Sequence, residues 1–176
     1  MIIDGHKSIE ELQELRYNYH KDIAQYDKQR KLYIQDIFNL IPSELNAQNK
    51  RFVLKSVNQN IKFSRSENDF LWLSDAGVAL PVYNVEAPCI PLILNKQRNL
   101  FKLFQNDVGL LACQYSDGIQ LDILNGESHL NFGAIYENYV AQELKAHKHV
   151  LYYYNSKKYG ELDFLIEHAG KLIAIE

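Results

Sequence analysis

The chain has 176 residues, of which 47% are hydrophobic and 23% charged, and its net charge is -3. This composition excludes a disordered chain, and the lack of an overall basic excess excludes the electrostatic footprint of a strong nucleic-acid binder. The length predicts one domain, or two small ones, with enough chain to bury a core.

In chain order, Ser8 opens a helical stretch with Ile9, Leu12 and Leu15 at helical spacing, running to about Lys31. "LYIQDIFNLI" predicts a second helix that stops before Pro42, because the residue preceding proline is pushed out of the α region. "PSEL" then starts a third, short helix with Pro42 in its first turn. From Leu45 to Ser66 there are basic residues only, Lys50, Arg51, Lys55, Lys62 and Arg65, and no acidic one. That stretch is either a solvated loop or a patch facing DNA phosphate or an acidic partner. "SRSENDFLWLSDAGV" predicts a helix capped by Ser66 and stopped at Gly77. "VALPVYNV" reads as a strand, with "CIPLIL" as a hairpin partner. Helices followed by a β ribbon outline a winged helix over residues 1–90, although Glu67, Asp69 and Asp75 on its last helix oppose contact with DNA.

The pattern changes between about Val85 and Asn99. "NLFKLF" predicts a strand, "NDVGLLACQ" a short helix capped at Asn106 or Asp107, and "SDGIQLDILNGES" a loop with partial helix. "HLNFGAIYENYVAQELKAH" predicts a helix, "HVLYYYN" a strand, and "GELDFLIEHAGKLIAIE" a closing hairpin. The fold class expected is α+β, with the second unit over residues 91–176.

Cys89 and Cys113 have no metal or redox spacing, which predicts buried thiols in a reduced compartment. With no signal pattern and no membrane-length apolar run, the expected location is the cytoplasm. No GxxxxGK[ST] loop is present, so no ATP site of that kind is expected in this chain. His147 and His149 form an HxH without further ligands at matching spacing, which reads as a solvated turn. The tyrosine run Tyr152, Tyr153, Tyr154 reads as core or as a base-stacking surface.

The carboxylates are more pointed. On a helical wheel Gly133, Val140, Ala141 and Leu144 lie within about 60° of Glu137, so Glu137 is expected to face the core or a cleft. In the closing hairpin, alternation sets Leu162, Phe164 and Ile166 on one side and Asp163 and Leu165 on the other. A two-residue turn at Ala169-Gly170, or a four-residue loop from His168 to Lys171, pairs Asp163 with Glu176; a three-residue loop pairs it with Ile175. Two carboxylates on one face would repel, and a hard cation such as Mg²⁺ or Mn²⁺ would remove that repulsion.

The ordered words "IPSEL", "WLSDAGV", "VYNV", "FKLFQNDVGLL", "ENYVAQEL" and "YYYNSKKYGELDFLIE", ending in "IAIE", resemble the C-terminal domain of unknown function that follows the ATPase module in a large family of prokaryotic AAA-type ATPases. An acid on a helix, an aspartate on the next-but-one strand and a glutamate on the following strand resemble the PD-(D/E)xK nuclease fold. The resemblance implies a winged-helix-like segment followed by a nuclease-like core, with Glu137, Asp163 and Glu176 at its acidic, metal-binding and catalytic positions. The lysine of ExK would lie two positions past Glu176, where this sequence has ended, so the resemblance implies a fragment lacking the ATPase module and the end of the core. Two functions follow as expectations: an accessory module of the ATPase that binds DNA or a protein partner, or a Mg²⁺-dependent DNA nuclease.

Overall fold

The computed structural model describes residues 5–26, 31–47, 50–53, 63–126 and 132–176. The elements are α1 (Gly5–Tyr26), α2 (Lys31–Asn46), α3 (Phe63–Asp75), β1 (Ala79–Val85), a 3-10 turn (Leu92–Asn95), β2 (Lys96–Gln105), α4 (Val108–Ala112), α5 (Asp117–Asn125), α6 (Gly133–Ala146), β3 (Tyr152–Ser156), β4 (Gly160–His168) and β5 (Lys171–Ile175). The strands form one mixed sheet in the order β2-β1-β3-β4-β5, so the fold is α+β as expected. β1 runs parallel to β3, and the other neighbours are antiparallel. The ribbon made by β1 and β2 is therefore continuous with the C-terminal strands, and the expected unit boundary falls within the β1–β2 connection. No described helix is long and apolar enough to cross a membrane.

Pro42 does not end a helix. α2 runs through it to Asn46 because Ile34, Ile37, Phe38, Ile41 and Leu45, at helical spacing, are all buried in one stripe. A proline inside a helix leaves the carbonyl four residues earlier without its donor. Here that carbonyl belongs to Phe38, and the Gln114 amide donates to it at 3.1 Å. Tertiary contact thus repairs a defect that local sequence rules treat as a stop. Two other expectations are corrected. α3 begins at Phe63, so Ser66 lies inside it rather than capping it. The partner of β1 is Lys96–Gln105, because "CIPLIL" forms the 3-10 turn instead. Pro81 is tolerated in β1 because β3 begins opposite Tyr83, beyond the missing donor.

The main core joins α2 and α3 to the sheet through Phe70, Leu73, Val82, Phe101, Phe104, Tyr153 and Phe164. A smaller cluster of Val85, Leu92, Tyr152 and Leu165 packs elsewhere. Neighbours Tyr152 and Tyr153 belong to different clusters, as do Leu165 and Ile166, so the two clusters lie on opposite faces of the sheet.

The α6 helix is anchored by Asn138, whose amide oxygen accepts from Gln105 N at 2.8 Å and whose amide nitrogen donates to Gln105 O at 3.0 Å. A single side chain therefore satisfies both backbone groups at the end of β2. α6 ends in a Schellman turn: Lys148 N donates to Lys145 O and His149 N to Leu144 O, with Lys148 at φ +66°. The HxH is thus a helix terminator. Cys113 is buried as expected, whereas Cys89, in the loop before the 3-10 turn, is exposed.

Candidate functional site

The site grows from Lys102, in the middle of β2. Its neighbours Phe101, Leu103 and Phe104 are buried, and its own side chain is 0% exposed. A buried ammonium requires charged or hydrogen-bonding partners. Lys102 Nζ lies 2.7 Å from Glu161 Oε1, 3.4 Å from Asp163 Oδ1 and 3.5 Å from Glu137 Oε2, and 5.2 Å from the centre of the Tyr153 ring.

A β-bulge places Asp163. Tyr152 pairs with Leu165 and Tyr154 with Leu162, so Asp163 and Phe164 together lie opposite the single Tyr153. The expected alternation across Leu162 to Leu165 is broken there. Leu162 and Leu165 both join the smaller cluster, while Asp163 reaches Lys102 and Phe164 packs at a tilt against Phe104, with 5.6 Å between ring centres. Lys102 and Phe104 share a face of β2, so the bulge turns two consecutive residues of β4 to one side. This keeps Phe164 in the core and gives Lys102 a carboxylate.

The hairpin turn is the two-residue Ala169-Gly170, with φ of +50° and +71°, and pairs run from His168↔Lys171 to Phe164↔Ile175. Continuing that ladder puts Glu176 opposite Asp163. Ile175 packs against the main core, so alternation directs Glu176 to the other face, and it is exposed. The structure therefore brings Glu137 and Asp163 together and leaves Glu176 apart. Glu161 takes the third place. Its signal was available in "GELDF", because residues two apart on a strand share a face. Lys102 was signalled by a lone charge within the apolar run "LFKLF".

The second cation is Lys50, which ion-pairs with the other oxygen of Glu137, Oε1. Burial pulls the Lys50 pKa down, but the hydrogen bond that Lys50 donates to Glu137 and the charges of Glu137, Asp163 and Glu161 outweigh it and leave its pKa above the usual lysine value. Lys50 adopts φ +47°, a left-handed conformation that a non-glycine residue holds only where its surroundings fix it. Two residues on, Phe52 N donates to Phe101 O at 2.9 Å and its ring packs against both Phe70 and Phe101, which ties this segment down.

Arg51 extends the network. It donates to Asn155 Oδ1 at 3.1 Å, and Asn155 Nδ2 donates to Glu161 Oε2 at 2.8 Å. Asn155 N donates in turn to Asn84 Oδ1 at 3.0 Å, and Asn84 Nδ2 to Gln97 Oε1 at 2.6 Å. Burial pushes the Tyr153 phenol up to about 12; Glu161 adds to the rise and the Arg51 guanidinium only partly opposes it. Tyr152 and Tyr153 are core residues, and Tyr154 is half-buried.

Of the five basic residues singled out from the sequence, Lys50 and Arg51 therefore turn into this network. Lys55 and Lys62 lie outside the described residues, as does the side chain of Arg65 on α3. Three carboxylates, Glu137, Glu161 and Asp163, meet Lys50 and Lys102 directly, and Arg51 reaches Glu161 through Asn155, so the formal charges of the six side chains balance. Oxygen donors of this kind suit Mg²⁺ or Mn²⁺ chemically. With the Lys102 ammonium between them they do not fit a metal ion, and no group of three or more His, Cys, Asp or Glu among the described residues is arranged to hold one.

Residues 7–121 match the family model of a domain of unknown function, DUF8612. The chain belongs to the DUF8612 family. Residues 132–176 match a second domain of unknown function, DUF4143. The site spans both matches: the DUF8612 region supplies Lys50, Arg51 and Lys102, and the DUF4143 region supplies Glu137, Glu161 and Asp163. No curated protein and no solved structure matches the chain.

Proposed function

We propose that this chain acts as an accessory module of a prokaryotic AAA-type ATPase, binding a protein partner through a nuclease-like helix-and-three-strand core that does not itself cut DNA. The position of Lys102 carries the reading. Metal-assisted phosphodiester hydrolysis requires carboxylates free to take a divalent cation. Here the chain's own ammonium stands at their centre, fully buried, and Lys50 and Arg51 complete the neutralisation. The DUF4143 match supports the ATPase context, since that domain is often found with AAA ATPases. The inward turn of Lys50 and Arg51 favours a protein over DNA as the partner.

A surface suited to the ATPase module shares no residue with the carboxylate–lysine cluster. Leu71, Ile93 and Val150 are exposed and line two adjoining clefts of about 250 and 390 Å³ that share His149 and Tyr152. Lys96, Lys145 and Lys148 edge these clefts, and the acidic residue there, Glu167, already accepts from Leu92 N. An apolar surface with a basic rim fits an apolar partner segment flanked by acids.

One observation favours the second reading, a Mg²⁺- or Mn²⁺-dependent nuclease using Glu137, Asp163 and Glu176: Glu137 and Asp163 do reach a common point. Plasmid nicking with either metal separates the two, performed on this chain and on one extended past Glu176 to include a lysine two positions on. The accessory reading expects no metal-dependent nicking by either, and binding of the parent's ATPase module that Val150→Asp weakens. Nicking that disappears in Asp163→Ala would overturn it in favour of the nuclease. Tight binding of duplex DNA, unaffected by Val150→Asp, would replace the protein partner with DNA.

A further inference from the structure

The residue just past α6 has a backbone conformation unsuited to its type. Lys148 takes φ +66°, with its N–H bonded to Lys145 O at 2.8 Å and His149 N bonded to Leu144 O at 3.1 Å. Glycine is usual at that position, because a Cβ is strained there. A lysine at a helix end is ordinarily explained by its ammonium, which can bond the last carbonyls and favour the helix dipole. Here those carbonyls already have donors. Glu143 O accepts from His147 N at 3.0 Å and lies 2.8 Å from His147 Nδ1, while Leu144 O and Lys145 O hold the two bonds just given. The Lys148 side chain is exposed and makes no ion pair among the described residues. The fold therefore keeps a strained lysine whose charge has no use within the described chain.

We propose that Lys148 determines the specificity of the docking surface by pairing with an acidic side chain of the partner that lies next to an apolar one. This rests on the reading that the two clefts receive the ATPase module. A backbone conformation held against its preference marks a position where the side chain serves more than local stability. Lys148 lines the cleft of about 390 Å³ with Pro91, Ile93 and Val150, so its charge stands at the edge of an apolar wall. Glu167, the acid of that cleft, accepts from Leu92 N, so an incoming carboxylate meets a cation whose neighbouring acid is already bonded. The turn also fixes the Lys148 backbone, so less freedom is lost when the pair forms. Lys145, also exposed, sits in the last turn of α6 on ordinary helical backbone. A partner with a lysine or arginine at the matching point is rejected, because like charges then meet beside a wall that displaces water.

The test measures, in the same variants, the Tm of the full chain alone and its binding of the parent's ATPase module. Lys148→Gly removes the strain together with the charge. It is expected to raise Tm by about 2–4 °C and to weaken module binding at least about tenfold. A merely structural role would not move the two readouts in opposite directions. Lys148→Arg keeps both charge and strain and should leave Tm and binding near their original values. Lys145→Met should weaken binding less than Lys148→Gly does. A fall in Tm for Lys148→Gly would show that the lysine holds the helix end, and would overturn the proposal. Full-strength binding by Lys148→Gly, where Val150→Asp blocks it, would overturn this assignment alone. Binding untouched by both changes would remove the docking surface and the proposal with it.

Discussion

Lys102 and Lys50 meet the same carboxylate from two kinds of surroundings. Lys102 sits mid-strand with no exposed side-chain surface and faces three acids; Lys50 sits beside the cluster with 28% of its side chain exposed. Water screens and replaces the second pairing but not the first. The same contrast separates the two family regions. The DUF4143 stretch brings acids on a helix and a bulged strand, and the DUF8612 stretch brings the cations that neutralise them. The buried Lys102 ammonium needs these acids, whereas Glu161 and Asp163 keep about a third of their side-chain surface in water.

The comparison is broken most severely by Lys102→Met. It leaves three carboxylates partly buried without their central partner and is expected to cost about 3–5 kcal/mol in urea unfolding. A Lys102→Met/Glu161→Gln double variant should recover part of that loss through relief of repulsion, and full additivity of the two changes would show that the residues are not coupled. Asn138→Ala is expected to cost about 2–4 kcal/mol, since both Gln105 backbone groups lose their buried partner.

Alkaline pH sharpens the contrast further. Tyr153 titrates at about 12 in the fold, against about 10 for an unfolded tyrosine. Its pKa is raised, so the stability it contributes is fully present below pH 10 and is lost as pH rises from about 10 to about 12, by about 2–3 kcal/mol. Lys50, also raised, acts with the same sign: its contribution holds below the unfolded lysine value and fades as pH climbs past it. Tyr153→Phe should flatten the stability curve over the tyrosine window and leave the lysine component. By contrast Lys50→Met, at the exposed end of the cluster, is expected to cost no more than about 1 kcal/mol and to grow less costly as salt rises.

The smallest effect is a gain. Ala169 occupies a left-handed turn position that asparagine tolerates better, so Ala169→Asn should stabilise the hairpin by about 0.5–1 kcal/mol. A loss of stability instead would mean that the turn is not of this two-residue type.

Much of the architecture was legible. The closing helix and three strands follow from local pattern, which also narrowed the cap to Asn106 or Asp107, where Asp107 accepts from Gly109 N and Leu110 N, and left the two-residue turn as one of the loops open to the hairpin. These depend on residues within a few positions of one another, and local rules reach that far. The site was legible in part. Glu137 and Asp163 stood out as acids on apolar faces, whereas Lys102 passed as one residue of an ordinary strand. Its significance depends on acids 35, 59 and 61 positions away.

The sequence by itself determined the periodicities, and through them the helices, the strands and the α+β class. Only the tertiary structure decided which side Asp163 faces, because one extra residue in β4 shifts the alternation and no pattern of period two announces it. It also decided that α2 continues through Pro42, since the freed carbonyl finds its donor on Gln114, 76 positions away. And it decided that the carboxylates have a lysine among them, because charge neutrality in a buried site is settled by whichever groups the fold brings together.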